Sequence, residues 1–389
     1  MEGEDSGKEE EYIIFTGKNM IKLERIQVEG FKSIKNLDLK FSEINVLIGA
    51  NGAGKSNFVS LYKMINNIIE ENLQLYISKS GGSNSILHYG SKNTSYIVVI
   101  QYFENYSKNE FKYYYSLTNA APDTLVFTNE EVTFFDKSTR KTYASQLWSG
   151  RKECNLNEAA KSDKPYISLV QNFLSRYRIF QFHDTAENSY ARKKCYIKDN
   201  ENLRGDAGNL AAYLYFLKLK KLDYYKRIVS TIRLAAPHFG DFELEPDRFN
   251  SNEILLNWRE KDSDYLFGPH QISDGLLRFM ALCTLLLQPE DFLPSVIIID
   301  EPELGLHPYA LKLLCSMIEK VSKRCQVILA TQSKDLVDQF EPEDIIVVER
   351  HDGESIFKRL NSEDLKDWLE DYTLGELWEK NVIGGRPSR

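Results

Sequence analysis

The sequence predicts an α/β chain with a mainly parallel core sheet, an antiparallel β subdomain and an inserted β/helical arm. Three observations predict it. The stretch "GANGAGKS" (residues 49–56) follows the apolar run "INVLI" and precedes Phe58, Leu61, Met64, Ile65, Ile68 and Ile69, which recur at helical spacing. A second β-branched run, "SVIIID" (295–300), reads as a parallel strand buried on both faces. Beyond it the patterns alternate. Ala310, Leu313, Leu314, Met317, Ile318 and Val321 share a helix face, and "QVILATQ" (326–332) and "DIIVVE" (344–349) read as strands.

In chain order, "IKLERIQVEGFKSIKNLDLKF" (21–41) alternates at Ile26/Val28 and Leu37/Leu39/Phe41, which predicts two antiparallel strands. Gly49, Gly52, Gly54, Lys55 and Ser56 then fit G-x-x-x-x-G-K-[ST]. Glycines let successive backbone N–H groups point at an anion, and the following helix N-terminus favours negative charge. Lys55 can reach the β- and γ-phosphates and the Ser56 hydroxyl can ligate Mg²⁺. A nucleoside triphosphate is the ligand this loop implies, and the fold class is that of a P-loop NTPase.

After that helix the chain turns aromatic and β-rich, with strand patterns at 95–103, 111–117 and 124–135 and an expected flexible region at 144–165. Helical patterning returns from 166, and its longest segment is 207–236. Within "QISDGLLRFMALCTLLLQP" (271–289), Ser273 reads as an N-cap and Gly275 removes side-chain bulk, making a second anion site on the chain. At the end of the 295–300 strand, Asp300 can serve a Mg²⁺ shell and Glu301 can polarise the attacking water.

Composition sets bounds on these readings. The chain has 389 residues with 42% hydrophobic and 27% charged, which disfavours wholesale disorder. A net charge of −8 gives no global pull toward nucleic acid or anionic membrane. "FMALCTLLL" is the longest apolar run, far short of a membrane span, and the five cysteines form no C-x-x-C pair. A reduced, cytoplasmic protein without structural zinc is expected. The expected divisions are an acidic disordered tail at 1–19, an N-terminal lobe at 20–94, the arm at 95–205, a C-terminal lobe at 206–350 and an extension at 351–389. Met20 reads as an alternative start.

Together, "GANGAGKS", "ISDGLLR", "IIIDEPELGLHP" and "ATQS" resemble the ABC-type ATPases. The branch is the one holding RecF, the SMC-like proteins and the OLD (overcoming lysogenisation defect) family. "LERIQVEGFKSIKNLDLKF" and the tail "TLGELWEKNVIGGRP" are also similar to that branch. The resemblance implies heads that pair head-to-tail, each ATP held between one subunit's P-loop and the other's signature serine. Carried over, Gly49, Asn51, Gly52, Ala53, Gly54, Lys55, Ser56 and Asn57 surround the phosphates, and Ser273 and Gly275 meet the γ-phosphate in trans. Ser56 and Asp300 serve Mg²⁺, Glu301 is the base, and Leu304, Gly305, Leu306 and His307 form a turn crossing the dimer interface. The switch position, usually His, is Gln332, which cannot take a proton, so slow hydrolysis is expected. The glutamine that usually senses Mg²⁺ is either Gln101 or Gln181.

No sustained heptad occupies 57–272, so a long coiled coil is not expected. OLD-like proteins often carry a Toprim nuclease, whose metal site needs a later D-x-D, and none lies in 350–389. A nuclease effector would therefore be a separate chain. The expected role is a dimeric ATPase gating such an effector in anti-phage defence. The alternatives are a RecF-like repair ATPase acting on DNA and an assembly protein with negligible turnover. For DNA, the candidate surface is Arg176, Arg178, Arg192, Lys193, Lys194, Lys198 and Arg204 with the basic stretch 217–227. His183 and Asp184 read as a hydrogen-bonded turn.

Overall fold

The computed structural model describes residues 21–386, so the acidic tail and Met20 lie outside the described residues. A six-stranded sheet forms the core. Its order is Glu354–Arg359, Ile345–His351, Ile44–Ile48, Gln326–Ala330, Val296–Asp300, Tyr177–Phe180. All neighbours are parallel except the first pair. The P-loop strand is thus interior, and the Gln326–Ala330 strand lies between it and the strand ending in Asp300.

Alternate residues of these strands serve different cores, which is why they read as unbroken apolar runs. Val46, Ile48, Ile297, Ile299, Val327 and Leu329 face one cluster, with helices Leu210–Lys220, Leu222–Ala235, Asp274–Leu286 and Pro308–Ser322. Leu47, Val296, Ile298, Ile328 and Ala330 face the other, with helices Lys55–Ile69 and Pro165–Ser175 and a second sheet. That second sheet is antiparallel, in the order Ile34–Lys40, Lys22–Phe31, Tyr96–Glu104, Glu110–Ala120, Thr124–Asp136, Lys141–Gln146. Residues 95–205, expected as an inserted arm, contribute strands to both sheets. Tyr96–Glu104 completes the free edge of Lys22–Phe31, and Tyr177–Phe180 forms the edge of the core.

Two local expectations change. The helical segment 207–236 is two helices, because Lys221 (φ −141°, ψ 53°) breaks the run. The turn lets Tyr225, Ile228, Val229 and Ile232 rejoin the core that the first helix already fills. The region 144–165, expected to be flexible, is packed: Leu147, Cys154 and Leu156 are buried. The Glu153 carboxylate accepts the N–H groups of Leu73 (2.8 Å) and Gln74 (3.0 Å), at the start of another helix. Long-range capping of this kind leaves no local periodicity to read.

On the inner face of the antiparallel sheet, Glu130 pairs in register with Tyr115 and is 1% exposed. It accepts from Tyr113 Oη (2.9 Å) and Asn155 N (2.9 Å). Burial outweighs these bonds and pushes the carboxyl up to about 7. An unfolded glutamate loses its proton near pH 4.5, whereas the folded one keeps it to about 7. Glu130 therefore penalises the folded state increasingly as pH rises through that window, by on the order of 3 kcal/mol once above it. Glu130→Gln should flatten this fall. Urea unfolding of both proteins at pH 5 and pH 8 measures it, and parallel profiles would refute it.

Candidate nucleotide site

The Lys55–Ile69 helix begins without a side-chain cap, since its N-cap is Gly54. Its first-turn N–H groups are therefore open to an anion. Gly49, Gly52 and Gly54 have φ of 153°, 80° and 126°, conformations that favour glycine. Close backbone approach adds to this: a Cβ on Gly49 would lie 2.2 Å from Val348 O, and one on Gly54 would lie 2.0 Å from Ser355 Oγ. Lys55 is 7% exposed and its ammonium donates to the carbonyls of Gly49 (2.5 Å) and Ala50 (3.2 Å). Burial lowers its pKa, opposed by Glu301, Asp300 and Glu303. Asn51, Gly52 and Ser56 are exposed, while Ala53 is buried.

The loop is braced from behind. Ser355 Oγ donates to Ala53 O (2.6 Å) and contacts Ser33 Oγ (2.7 Å), which accepts from Asn57 Nδ2 (2.6 Å). Asn57 thus engages the turn of the N-terminal hairpin rather than standing free beside the loop. It lines a cleft of about 710 Å³ with Lys32, Ser33, Tyr89 and Arg350, and Arg350 also reaches Gly52 O (3.3 Å). This cleft was not read from the sequence, because its walls come from chain positions 32 to 350.

At the other end of the loop, Gln332 Nε2 donates to Glu301 Oε1 at 2.7 Å. Glu301 has φ +48°, a left-handed conformation that costs on the order of 1 kcal/mol or more for a residue with a side chain. Glu303 holds this arrangement, accepting from Thr331 Oγ1 (2.6 Å) and Gln332 N (3.2 Å), and burial raises its pKa. Of the two glutamines left open by the sequence, Gln181 reaches the site: its Nε2 donates to Asp300 Oδ2 at 2.8 Å. Gln101 is fully buried and accepts from Tyr177 Oη. His183, read only as part of a turn, lies 2.9 Å from Asp300 O and 3.9 Å from Glu301 Oε2.

Ser273 caps the Asp274–Leu286 helix as expected, its Oγ accepting from Leu276 N (3.4 Å). It is exposed, and Gly275, two residues on, lies against the Leu304–His307 turn. A Cβ on Gly275 would be 2.2 Å from Gly305 O. Arg278 ties the same parts together, donating to Phe182 O (2.9 Å), His183 O (2.9 Å), Thr185 Oγ1 (2.9 Å) and Leu304 O (3.2 Å). Gly275→Ala should cost about 1–3 kcal/mol of stability through overpacking. It should also cut phosphate release about tenfold or more by displacing the turn, with nucleotide affinity kept. Phosphate release and nucleotide titration check both, and unchanged turnover would refute the second.

The basic residues proposed as a DNA surface divide. Arg192 is 5% exposed and half-buried Arg178 donates to backbone carbonyls, so these two are structural, whereas Arg176 donates to Leu293 O (2.6 Å) but stays exposed. Lys194 pairs with Asp247, and Arg204 with Asp199 and Asp206. Lys193 and Lys198 are exposed. Among the described residues no group of three or more His, Cys, Asp or Glu is arranged to hold a metal. A divalent ion here would need phosphate oxygens beside Ser56 and Asp300, which suits Mg²⁺. No helix among them is long and apolar enough to cross a membrane.

Comparison with known proteins places this geometry. Septu protein PtuA of Bacillus thuringiensis is 22% identical over 87% of this chain and 79% of its own length. A "Putative ABC transporter ATP-binding protein" of Caldanaerobacter subterraneus subsp. tengcongensis is 32% identical over 107 residues, 27% of this chain, and the match spans 42% of that relative's length. In fold, the chain is similar to an SMC head crystallised bound to the C-winged helix domain of ScpA. The TM-score is 0.58 at 16% identity, covering 89% of this chain and 99% of that one. A family model described as "AAA domain, putative AbiEii toxin, Type IV TA system" matches residues 44–338, from the P-loop strand past Gln332. The chain belongs to that AAA-domain family of nucleotide-binding ATPases, with a fold similar to that of an SMC head.

Proposed function

We propose that the protein binds ATP with Mg²⁺, closes head-to-tail on a second copy, and hydrolyses the nucleotide slowly to gate a separate effector. The observation that carries this reading is a separation within one chain. The P-loop, Asp300, Glu301 and Gln332 share one edge of the core sheet. Gly275 packs instead on the Leu304–His307 turn, and Ser273 Oγ, which is exposed, bonds Leu276 N and, among the described residues, makes no hydrogen bond to the loop. A second copy would complete each site with Ser273 and Gly275.

In this reading Lys55 leaves the Gly49 and Ala50 carbonyls for the phosphates, and the open N–H groups of the loop and first helical turn complete the cradle. Nucleoside contacts fall to the cleft lined by Lys32, Tyr89 and Arg350. Ser56 and Asp300, with Gln181 beside them, would hold Mg²⁺, which would neutralise charge at the phosphates. Glu301 takes the proton of the attacking water as its oxygen bonds the γ-phosphorus and the bond to the bridging oxygen breaks, leaving ADP and phosphate. Gln332 orients Glu301 and the water, and being unable to accept a proton it favours slow turnover.

The role in bacterial anti-phage defence, on the OLD-like branch and in the cytoplasm, is supported by the motif set and the likeness to Septu protein PtuA over most of both chains. A RecF-like reading has one observation in its favour. Tyr190 is 62% exposed, with Lys193 Nζ at 5.6 Å and Arg204 Cζ at 5.7 Å from its ring, a pattern suited to stacked bases and phosphates. Tagged protein captured from its native cell with ATP–Mg²⁺ tests the two. A stoichiometric second protein supports effector gating; DNA alone, with DNA-stimulated phosphate release, supports repair.

A further inference from the structure

The residue after Ser273 is an aspartate, and a carboxylate is an odd neighbour for a turn meant to meet a triphosphate. Asp274 is exposed, so it stands on the same surface as the serine. Arg192 lies behind it, 5% exposed, and three of its four side-chain bonds converge on this turn. One guanidinium nitrogen donates to Asp274 Oδ1 at 2.7 Å; another donates to Ile272 O (2.9 Å) and to Pro269 O. Its Nε donates to Thr185 O at 2.8 Å. The hydrogen bond from Arg192, with help from the Thr185 side chain, holds the Asp274 carboxyl below the usual range. The groups facing Asp274 are thus Arg192, Thr185 and, at longer range, Arg278.

Burying a guanidinium under a loop is costly unless its charge and donors are matched. Here they are matched by one carboxylate and three carbonyls. The carbonyls of Pro269 and Ile272 lead directly into Ser273, so the same residue sets both the path of the turn and its charge. A carboxylate beside a helix N-terminus is ordinarily favourable, but it would repel a phosphate brought to that terminus.

We propose that Arg192 is the positioning residue of the Ser273 turn, cancelling the charge of Asp274 so that a γ-phosphate from a second copy can dock there. This rests on the in-trans role given to Ser273 above. Asp274 sits at the surface as a restraint, and Arg192 removes it.

The test uses full-length protein carrying Glu301→Gln, whose association with ATP–Mg²⁺ is followed by sedimentation, beside binding of a fluorescent ATP analogue. Arg192→Met should weaken ATP-driven association about tenfold or more and leave nucleotide affinity within about threefold. Adding Asp274→Asn should restore association to within about threefold of the parent, because the uncancelled charge is gone. A purely structural arginine would not be rescued that way, so failure of rescue overturns the proposal. If Arg192→Met fails to fold, Asp274→Asn alone decides: its amide oxygen can still accept the bond from Arg192, and association should tighten a few-fold, whereas weakening overturns the proposal. A parent that stays monomeric with ATP–Mg²⁺ overturns the composite-site reading itself, a result separable from failed rescue in a parent that dimerises.

Discussion

Lys55→Ala is expected to lower affinity for ATP–Mg²⁺ by about two orders of magnitude or more, to the limit of detection in calorimetric titration. Its ammonium is a buried charge among carbonyls at the mouth of a loop whose other donors are backbone N–H groups. Without it the triphosphate meets Asp300, Glu301 and Glu303 with no opposing charge inside the loop. The fold should persist, since the loop is independently braced through Ser355 and Ser33. An unchanged melting temperature with lost binding is the expected pair of results. Retained micromolar affinity would mean the nucleotide is held elsewhere.

Glu301→Gln is expected to do the opposite: nucleotide affinity stays, phosphate release falls about 10²- to 10⁴-fold, and protein loaded with ATP–Mg²⁺ accumulates as dimer. The amide is nearly isosteric but cannot take the water's proton. Glu301 accepts from Gln332 at 2.7 Å, and a glutamine oxygen can accept the same bond, so local geometry should survive. Single-turnover phosphate release and light scattering read the two effects separately. Full turnover in the variant would move the base to another residue, and His183 and Glu303 are the groups near enough to examine. A monomer at saturating ATP would count against the head-to-tail arrangement.

Much of this site was legible in the sequence because each half is local. The P-loop needs only a strand, three glycines and a helix start, and Gly49, Gly52, Gly54, Lys55 and Ser56 fall within eight consecutive residues. The Asp300–Glu301 pair ends a five-residue strand whose burial is visible as "VIIID". Ser273 could be read as an N-cap from its neighbours alone. Gln181, His183, Glu303, Arg192 and Arg278 carried no such local sign. Arg192 was even assigned to a surface, because a basic cluster in sequence looks the same whether its members face water or carbonyls. A long-range ion pair such as Arg192–Asp274 has no spacing rule.

The sequence by itself determined the chemistry available to this protein: an α/β core, a phosphate loop, a strand-end carboxylate pair and a capped second helix, each a consequence of short-range periodicity and residue type. Tertiary structure alone decided which of these meet. Parallel strand order placed Gln332 between the P-loop and Asp300, where it reaches Glu301. Packing turned Gln181, rather than Gln101, toward Asp300, and buried Arg192 beneath Asp274. The reason is physical: strand propensity and capping depend on residues a few positions away, whereas strand order and the pairing of buried charges are settled only when distant segments compete for one core.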